Sequence, residues 1–214
     1  MFKQTRISVA CAAVLAGASA QAVPVTSLPG STTYSFPVEN YFGAGPRTVA
    51  PGITWTAATG ASSVFGFTGG YAFDSNGQWS GLSMIGTNDG TGIIAMTLTF
   101  NDAVQGVGAF LNWARRVNGD PIVVPPVIAV YDAANAPLES YTLTFSTGGG
   151  ANSGEFHGFQ RGSSDIKSIT FSGSFIGAAD LQVLSTAPVP EPETYALMLG
   201  GLAALGAVVR RRKA

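Results

Sequence analysis

Through the middle of the chain, large apolar side chains alternate with small or hydroxylated ones. In Ile94-Ala95-Met96-Thr97-Leu98-Thr99-Phe100 the apolar positions recur every second residue, the period of a strand with one buried face. Tyr141, Leu143 and Phe145 alternate with Thr142 and Thr144 in the same way, and Ile169 and Phe171 with Ser168, Thr170 and Ser172. Residues 127–131 are a continuous apolar run, as expected of a central strand. Segments 52–58, 63–73, 104–113, 155–160 and 178–184 bring the expectation to about nine or ten strands. Asn76-Gly77 and Asn118-Gly119 read as two-residue hairpin turns, because a type I′ turn needs positive φ at both positions; Asp89-Gly90 is a weaker third. No helical period runs through this region, and no segment recurs at fixed spacing as in a propeller or β-helix. The pattern predicts an all-β fold, a single β-sandwich of jelly-roll type over residues 23–186.

Both ends depart from that pattern. Lys3 and Arg6 precede an apolar run over 7–16, followed by two small-x-small cleavage options, Ala18-Ser19-Ala20 and Ala20-Gln21-Ala22. This is the layout of a secretory signal peptide over residues 1–22, cut by signal peptidase. Cys11 raises a lipoprotein option, against which stand Ser8, where a Leu-like residue is wanted, and the apolar run that continues past the cysteine. At the other end, residues 187–214 hold three parts in order. Val189-Pro190-Glu191-Pro192-Glu193 is an extended acidic stretch that no helix can cross, because proline lacks the donor N–H. Fourteen apolar or glycine residues follow over 196–209, preceded by Tyr195, and Arg210-Arg211-Arg212-Lys213 comes after. Fourteen residues at ~1.5 Å rise span about 21 Å against a ~30 Å hydrocarbon core. Tyr195 at one interface and snorkelling Arg210, Arg211 and Arg212 at the other extend the effective span of this membrane anchor. The cationic end belongs in the cytoplasm and the body outside, in agreement with the signal peptide.

These three parts resemble the PEP-CTERM sorting signal of exported bacterial proteins, with its Pro-Glu-Pro motif at 190–192, its short transmembrane helix and its Arg-rich end. The resemblance implies recognition by an exosortase, a membrane-embedded cysteine transpeptidase-like enzyme, and removal of the helix. It implies a Gram-negative bacterium that makes exopolysaccharide, an inner-membrane-anchored precursor, and a final place at the cell surface or in the extracellular matrix. The second half of the body is similar in pattern to jelly-roll domains of other exported PEP-CTERM proteins, and through them to carbohydrate-binding modules. The segments that carry this second likeness are Gly106-Val107-Gly108-Ala109-Phe110, Val130-Tyr131-Asp132-Ala133, residues 166–171 and Ala179-Asp180-Leu181. It brings no catalytic residue with it.

Composition narrows the chemistry. Charged residues are 11% of the 214 and apolar ones 46%, so there is material for a core and disorder from low hydrophobicity is set aside. Ser and Thr, 19 of each, take over much of the solubilising role of charge. Ten acids and five bases lie within 23–186, a mildly acidic body that argues against nucleic acid as a partner. With Cys11 in the signal peptide, the remaining chain has no cysteine, so no disulfide supports the fold. His157, the one histidine, has no G-x-S-x-G motif or cysteine to serve as base. Glu39, Glu139 and Glu155 are the carboxylates a glycosidase pair would draw on, at a separation of ~5–10 Å. Calcium, a hard cation that some jelly-roll modules hold through carboxylates and carbonyls, points to Asp180, with Glu39 as a second donor. Asp74-Ser75-Asn76-Gly77 superficially resembles a calcium loop, but Ile85 occupies the twelfth position where Glu is required. Trp55, Trp79 and Trp113 are the candidates for a flat platform on which sugar rings pack.

Two functions from different classes follow. One is a non-enzymatic surface or matrix protein whose sandwich is a structural or adhesive unit. The other is a carbohydrate-binding module for exopolysaccharide, with a structural calcium as an option. Exposed tryptophans favour the second and buried ones the first.

Overall fold

The structure, a computed structural model, describes residues 23–58, 62–89, 93–117, 120–121 and 124–185. The expected signal peptide and sorting segment, including Val189 to Pro192, Tyr195 and Arg210 to Arg212, lie outside the described residues. Within them the chain is all β. It opens with β1 (Val23–Val25), β2 (Thr32–Tyr34), β3 (Tyr41–Phe42), β4 (Arg47–Ala50), β5 (Ile53–Ala57) and β6 (Ser63–Phe67). Next come β7 (Tyr71–Ala72), β8 (Gln78–Trp79), β9 (Met84–Thr87), β10 (Ile94–Val104), β11 (Gly106–Trp113) and β12 (Arg116–Val117). The last six are β13 (Asp120–Pro121), β14 (Val127–Tyr131), β15 (Pro137–Thr142), β16 (Glu155–Gln160), β17 (Ile166–Gly173) and β18 (Ile176–Leu184). Among the described residues no helix is long and apolar enough to cross a membrane.

Two antiparallel sheets form the body. The first runs β1-β16-β11-β18-β9-β6-β3, with β2 also paired to β18; the second runs β15-β14-β17-β10-β5-β4. Alternation builds the space between them. Along β10, Ile94, Met96, Leu98 and Phe100 are buried while the residues between them are half-buried or exposed. These side chains meet Trp55, Ile128, Val130, Ile169 and Phe171 of the second sheet and Phe65, Val107, Leu111, Phe159, Leu181 and Val183 of the first in one cluster. A β-sandwich is the result, as the period-two pattern requires.

A second, smaller core lies on the other face of the first sheet. Val64, Phe110 and Ala179 alternate with the inward Phe65, Ala109 and Ala178, so they point outward. Over them the β6–β9 connection lays Tyr71, Phe73 and Trp79 from the β7–β8 ribbon. The expected single strand over 63–73 therefore breaks after Phe67, at Gly69-Gly70, and the chain crosses the sheet instead of extending it. A glycine is also needed at Gly66. Its φ is +62°, its carbonyl accepts from the N–H groups of Glu39 and Asn40, and a Cβ there would collide with the Pro37 carbonyl.

The Asn76-Gly77 hairpin expectation needs correction. Five residues, not two, separate Ala72 from Gln78. Positive φ falls on Ser75 (60°) and Gly77 (101°), not on Asn76. Asn76 is fully buried, and its role is a different one, described below. At the second site, Val117 pairs with Asp120 across a two-residue connection, as the Asn118-Gly119 signal anticipates, although those two residues lie outside the described set.

A cleft between the sheet edges as the candidate functional site

One lateral opening of the sandwich gathers the body's only histidine with two aromatic rings. On the second sheet the edge strand is β15; on the first, β16 is covered by β1 only over Gly158–Gln160. Glu155 to His157 thus has no outer partner strand among the described residues. Phe159 of β16 enters the core, so period two turns His157 and then Glu155 toward the same inner side at the opening. The His157 ring, 7% exposed, stacks on Tyr141 of β15 (centroids 5.5 Å apart, planes at 19°) and on Phe145 just beyond it (4.9 Å, 19°). Its Nε2 lies 3.2 Å from Glu155 Oε2. In this contact Nε2 donates and the carboxylate oxygen accepts when Nε2 carries the proton. Beside this stack is a cavity of about 190 Å³ lined by Pro24, Val25, Thr26, Tyr141, His157 and Gly158. Its wall therefore unites β1, β15 and β16.

The tryptophan platform is corrected by burial. Trp55 and Trp79 are fully buried and Trp113 is 5% exposed. Trp55 packs on Phe65 (5.3 Å) and edge-on to Tyr41 (6.5 Å). Trp79 stacks on Phe110 (5.7 Å, 14°) and its Nε1 donates to the Ser153 carbonyl at 2.7 Å. A sugar ring needs an open aromatic face, and these three offer none.

The calcium donors are likewise engaged elsewhere. Asp180 sits in a β-bulge, where β11 and β18 shift register, with φ +46°, a conformation that Asp tolerates better than most residues. Ser35 Oγ donates to its Oδ1 at 3.3 Å. Glu39 Oε2 lies 3.3 Å from Arg47 Nε, and the Arg47 guanidinium covers the Tyr41 ring at 3.7 Å. No group of three or more His, Cys, Asp or Glu side chains able to hold a metal occurs among the described residues. Asp180 and Glu39 thus each face a protein partner, and they belong to no larger acidic cluster among the described residues. A Glu39–Glu155 carboxylate pair is also unworkable. Glu39 is bonded to β6 and Glu155 lies in β16, four strand spacings or about 19 Å apart at ~4.8 Å each. Glu139 is half-buried on β15, and Asp74 is exposed in the β7–β8 turn.

Sequence reasoning missed the polar hub at Asn76. Its Nδ2 donates to Asn112 Oδ1 (2.8 Å) and to the Trp113 carbonyl (2.9 Å), and its Oδ1 accepts from the Thr147 N–H (2.8 Å). Its own carbonyl accepts from Asn112 Nδ2 and from Thr147 Oγ1, both at 2.7 Å. One amide thereby ties the outer ribbon to β11 and to the loop after β15. Near the same loop, Arg115 Nη1 donates to Ser146 Oγ at 3.3 Å.

The body is thus an all-β sandwich with a lateral cleft, followed in sequence by the C-terminal segment. A family model described as the PEP-CTERM protein-sorting motif matches residues 188–213. The chain carries that motif at its C-terminal end, and the motif implies an exported protein processed by an exosortase after transient membrane association. No curated protein matches the chain. Among solved structures, the lectin domain of lectinolysin complexed with Lewis B antigen is similar over 71% of this chain and 99% of that one, with 13% identity and a TM-score of 0.37. That likeness is too slight to bear on function.

Proposed function

We propose that the protein is an exosortase-sorted component of the bacterial surface or extracellular matrix, whose sandwich body is non-catalytic and serves as a structural or adhesive unit. The single observation that carries the sorting half is the match of residues 188–213 to the PEP-CTERM protein-sorting motif. The signal peptide delivers the body across the inner membrane, residues 196–209 hold it there, and the exosortase cuts at or near Pro190-Glu191-Pro192. A non-catalytic body is supported by how its polar groups are occupied. The His157 imidazole is packed against Tyr141 and Phe145 and contacts a carboxylate, and no serine, threonine or cysteine side chain is seen bonded to it among the described residues. Arg161 donates from Nε and Nη2 to both carboxylate oxygens of Asp165, at 2.5 and 2.8 Å, a fork that braces a loop. The jelly-roll reading is supported by connectivity, since from β14 onward the chain keeps changing sheet, at β15 to β16, β16 to β17 and β17 to β18.

One observation favours a second reading, that the body also holds carbohydrate: the cleft beside His157 combines an aromatic wall with hydroxyl and imidazole groups. Comparing wild-type and exosortase-deficient cells tests the sorting proposal. The full-length chain should accumulate in membranes when the exosortase is missing. Unchanged processing and release in those cells would refute it.

A further inference from the structure

We infer that the cleft beside His157 binds one neutral pyranose unit of a polysaccharide. The inference rests on the carbohydrate reading above and gives it a site. Three features of the wall select this class of ligand.

The first is room. A cavity of about 190 Å³ accommodates several waters or a single six-membered ring, not a long ligand buried end to end. Its place at the lateral opening between β15 and β16 leaves the rest of a polymer outside.

The second is the mix of surfaces. Pro24 and Val25 are apolar walls against which the C–H face of a pyranose can lie, beside Tyr141, whose ring is stacked on His157. Thr26 and Tyr141 bring hydroxyls that both donate and accept, and His157 brings ring nitrogens. A sugar offers C–H faces and hydroxyls on one rigid frame, and so matches both.

The third is charge. None of the six lining residues is an arginine or a lysine. The nearest charged group bonded to the wall is the Glu155 carboxylate, 3.2 Å from His157 Nε2. A carboxylate or sulfate on the ligand would find no arginine or lysine in the wall and would face the Glu155 carboxylate. Glu155 is thus a positioning residue: it holds the imidazole in one orientation and screens out acidic sugars.

The test uses the exported protein and ligand-observed saturation-transfer NMR with methyl glycosides of glucose, galactose and mannose, and with glucuronic acid. At least one neutral glycoside should receive saturation, and glucuronic acid should receive none. Thr26→Val keeps the shape of an exposed residue and removes one hydroxyl; Tyr141→Phe removes the other. Each should weaken binding roughly three- to tenfold, the cost of one lost hydrogen bond. Glu155→Gln should admit glucuronic acid, a change of selectivity that a purely structural role would not produce. If a neutral glycoside binds but Thr26→Val and Tyr141→Phe bind it unchanged, the site is wrong while the carbohydrate reading stands. If wild type binds neither the glycosides nor the cell's own exopolysaccharide, both fall.

Discussion

Replacing Asn76 should cost far more than its place in a Gly-containing turn suggests. In Asn76→Ala the Trp113 carbonyl loses the Nδ2 donor at 2.9 Å, and the Thr147 N–H loses the Oδ1 acceptor at 2.8 Å. Asn112 Oδ1 keeps one partner, the Trp113 N–H at 2.8 Å. Two backbone groups are therefore orphaned in a buried or part-buried setting, at about 1–3 kcal/mol each, for a total of roughly 2–6 kcal/mol. Asn76→Gly separates the two readings of the residue. If Asn76 were present to adopt positive φ in a turn, glycine would be accepted at little or no cost. Because the residue is held by its amide, glycine should cost as much as alanine or more. Urea unfolding of the exported protein, followed by tryptophan fluorescence, reads both. A loss below about 0.5 kcal/mol for Asn76→Ala, or near-wild-type stability for Asn76→Gly, would refute the hub.

Tyr71 is buried, and burial pushes its phenol well above the ordinary value near 10; its hydroxyl donates to the Thr87 carbonyl. With the folded value raised, this contribution to stability is intact below about pH 10 and lost as pH rises further, because only the unfolded chain ionises there. Denaturant unfolding at about pH 8 and about pH 10.5 should show Tyr71→Phe less stable than wild type at the lower pH but losing less on alkalinisation. The three buried tryptophans should give blue-shifted emission that iodide barely quenches; efficient quenching in the native protein would mean that the indoles are open to solvent. Changing Arg210, Arg211 and Arg212 together to Glu removes the positive-inside signal, and should disturb membrane orientation or retention of the precursor in protease-protection assays of spheroplasts. Unaltered topology would count against the anchor reading.

Where large apolar residues alternate with small ones, or run unbroken over several positions, a strand's place was legible. The observed β14 and β16 coincide with the apolar run over 127–131 and with segment 155–160. The β10 strand begins at Ile94 as the alternation begins. The β9 strand, Met84–Thr87, carries neither signal: all four residues are buried, so nothing alternates, and Gly86 and Thr87 cut its apolar run short. The strands of two to four residues near the N-terminus, β1 to β4, are too short to show a period. Tryptophan burial could not be read from composition, because a ring in a core and a ring on a platform look alike until the main core that takes Trp55 and Trp113 and the second core that takes Trp79 are known. The cleft was hidden for a similar reason. Pro24, Tyr141 and His157 lie far apart in the chain and meet only because β1 and β16 share one sheet edge while β15 borders the other. Alone between Phe156 and Gly158, His157 gives no hint of the two rings it stacks on.

The central claim is that this is an exported body carried on a disposable sorting segment, and the mass of the released protein tests it most directly. Intact-mass spectrometry of material shed from the cell surface should give a chain that lacks the signal peptide and ends at or near Pro190-Glu191-Pro192, without residues 195–214. On this account the two prolines bar a helix from running through the motif, which leaves a peptide bond there for the exosortase to cut. Released protein that still carries Tyr195 to Ala214 would contradict the account and make the segment a permanent anchor.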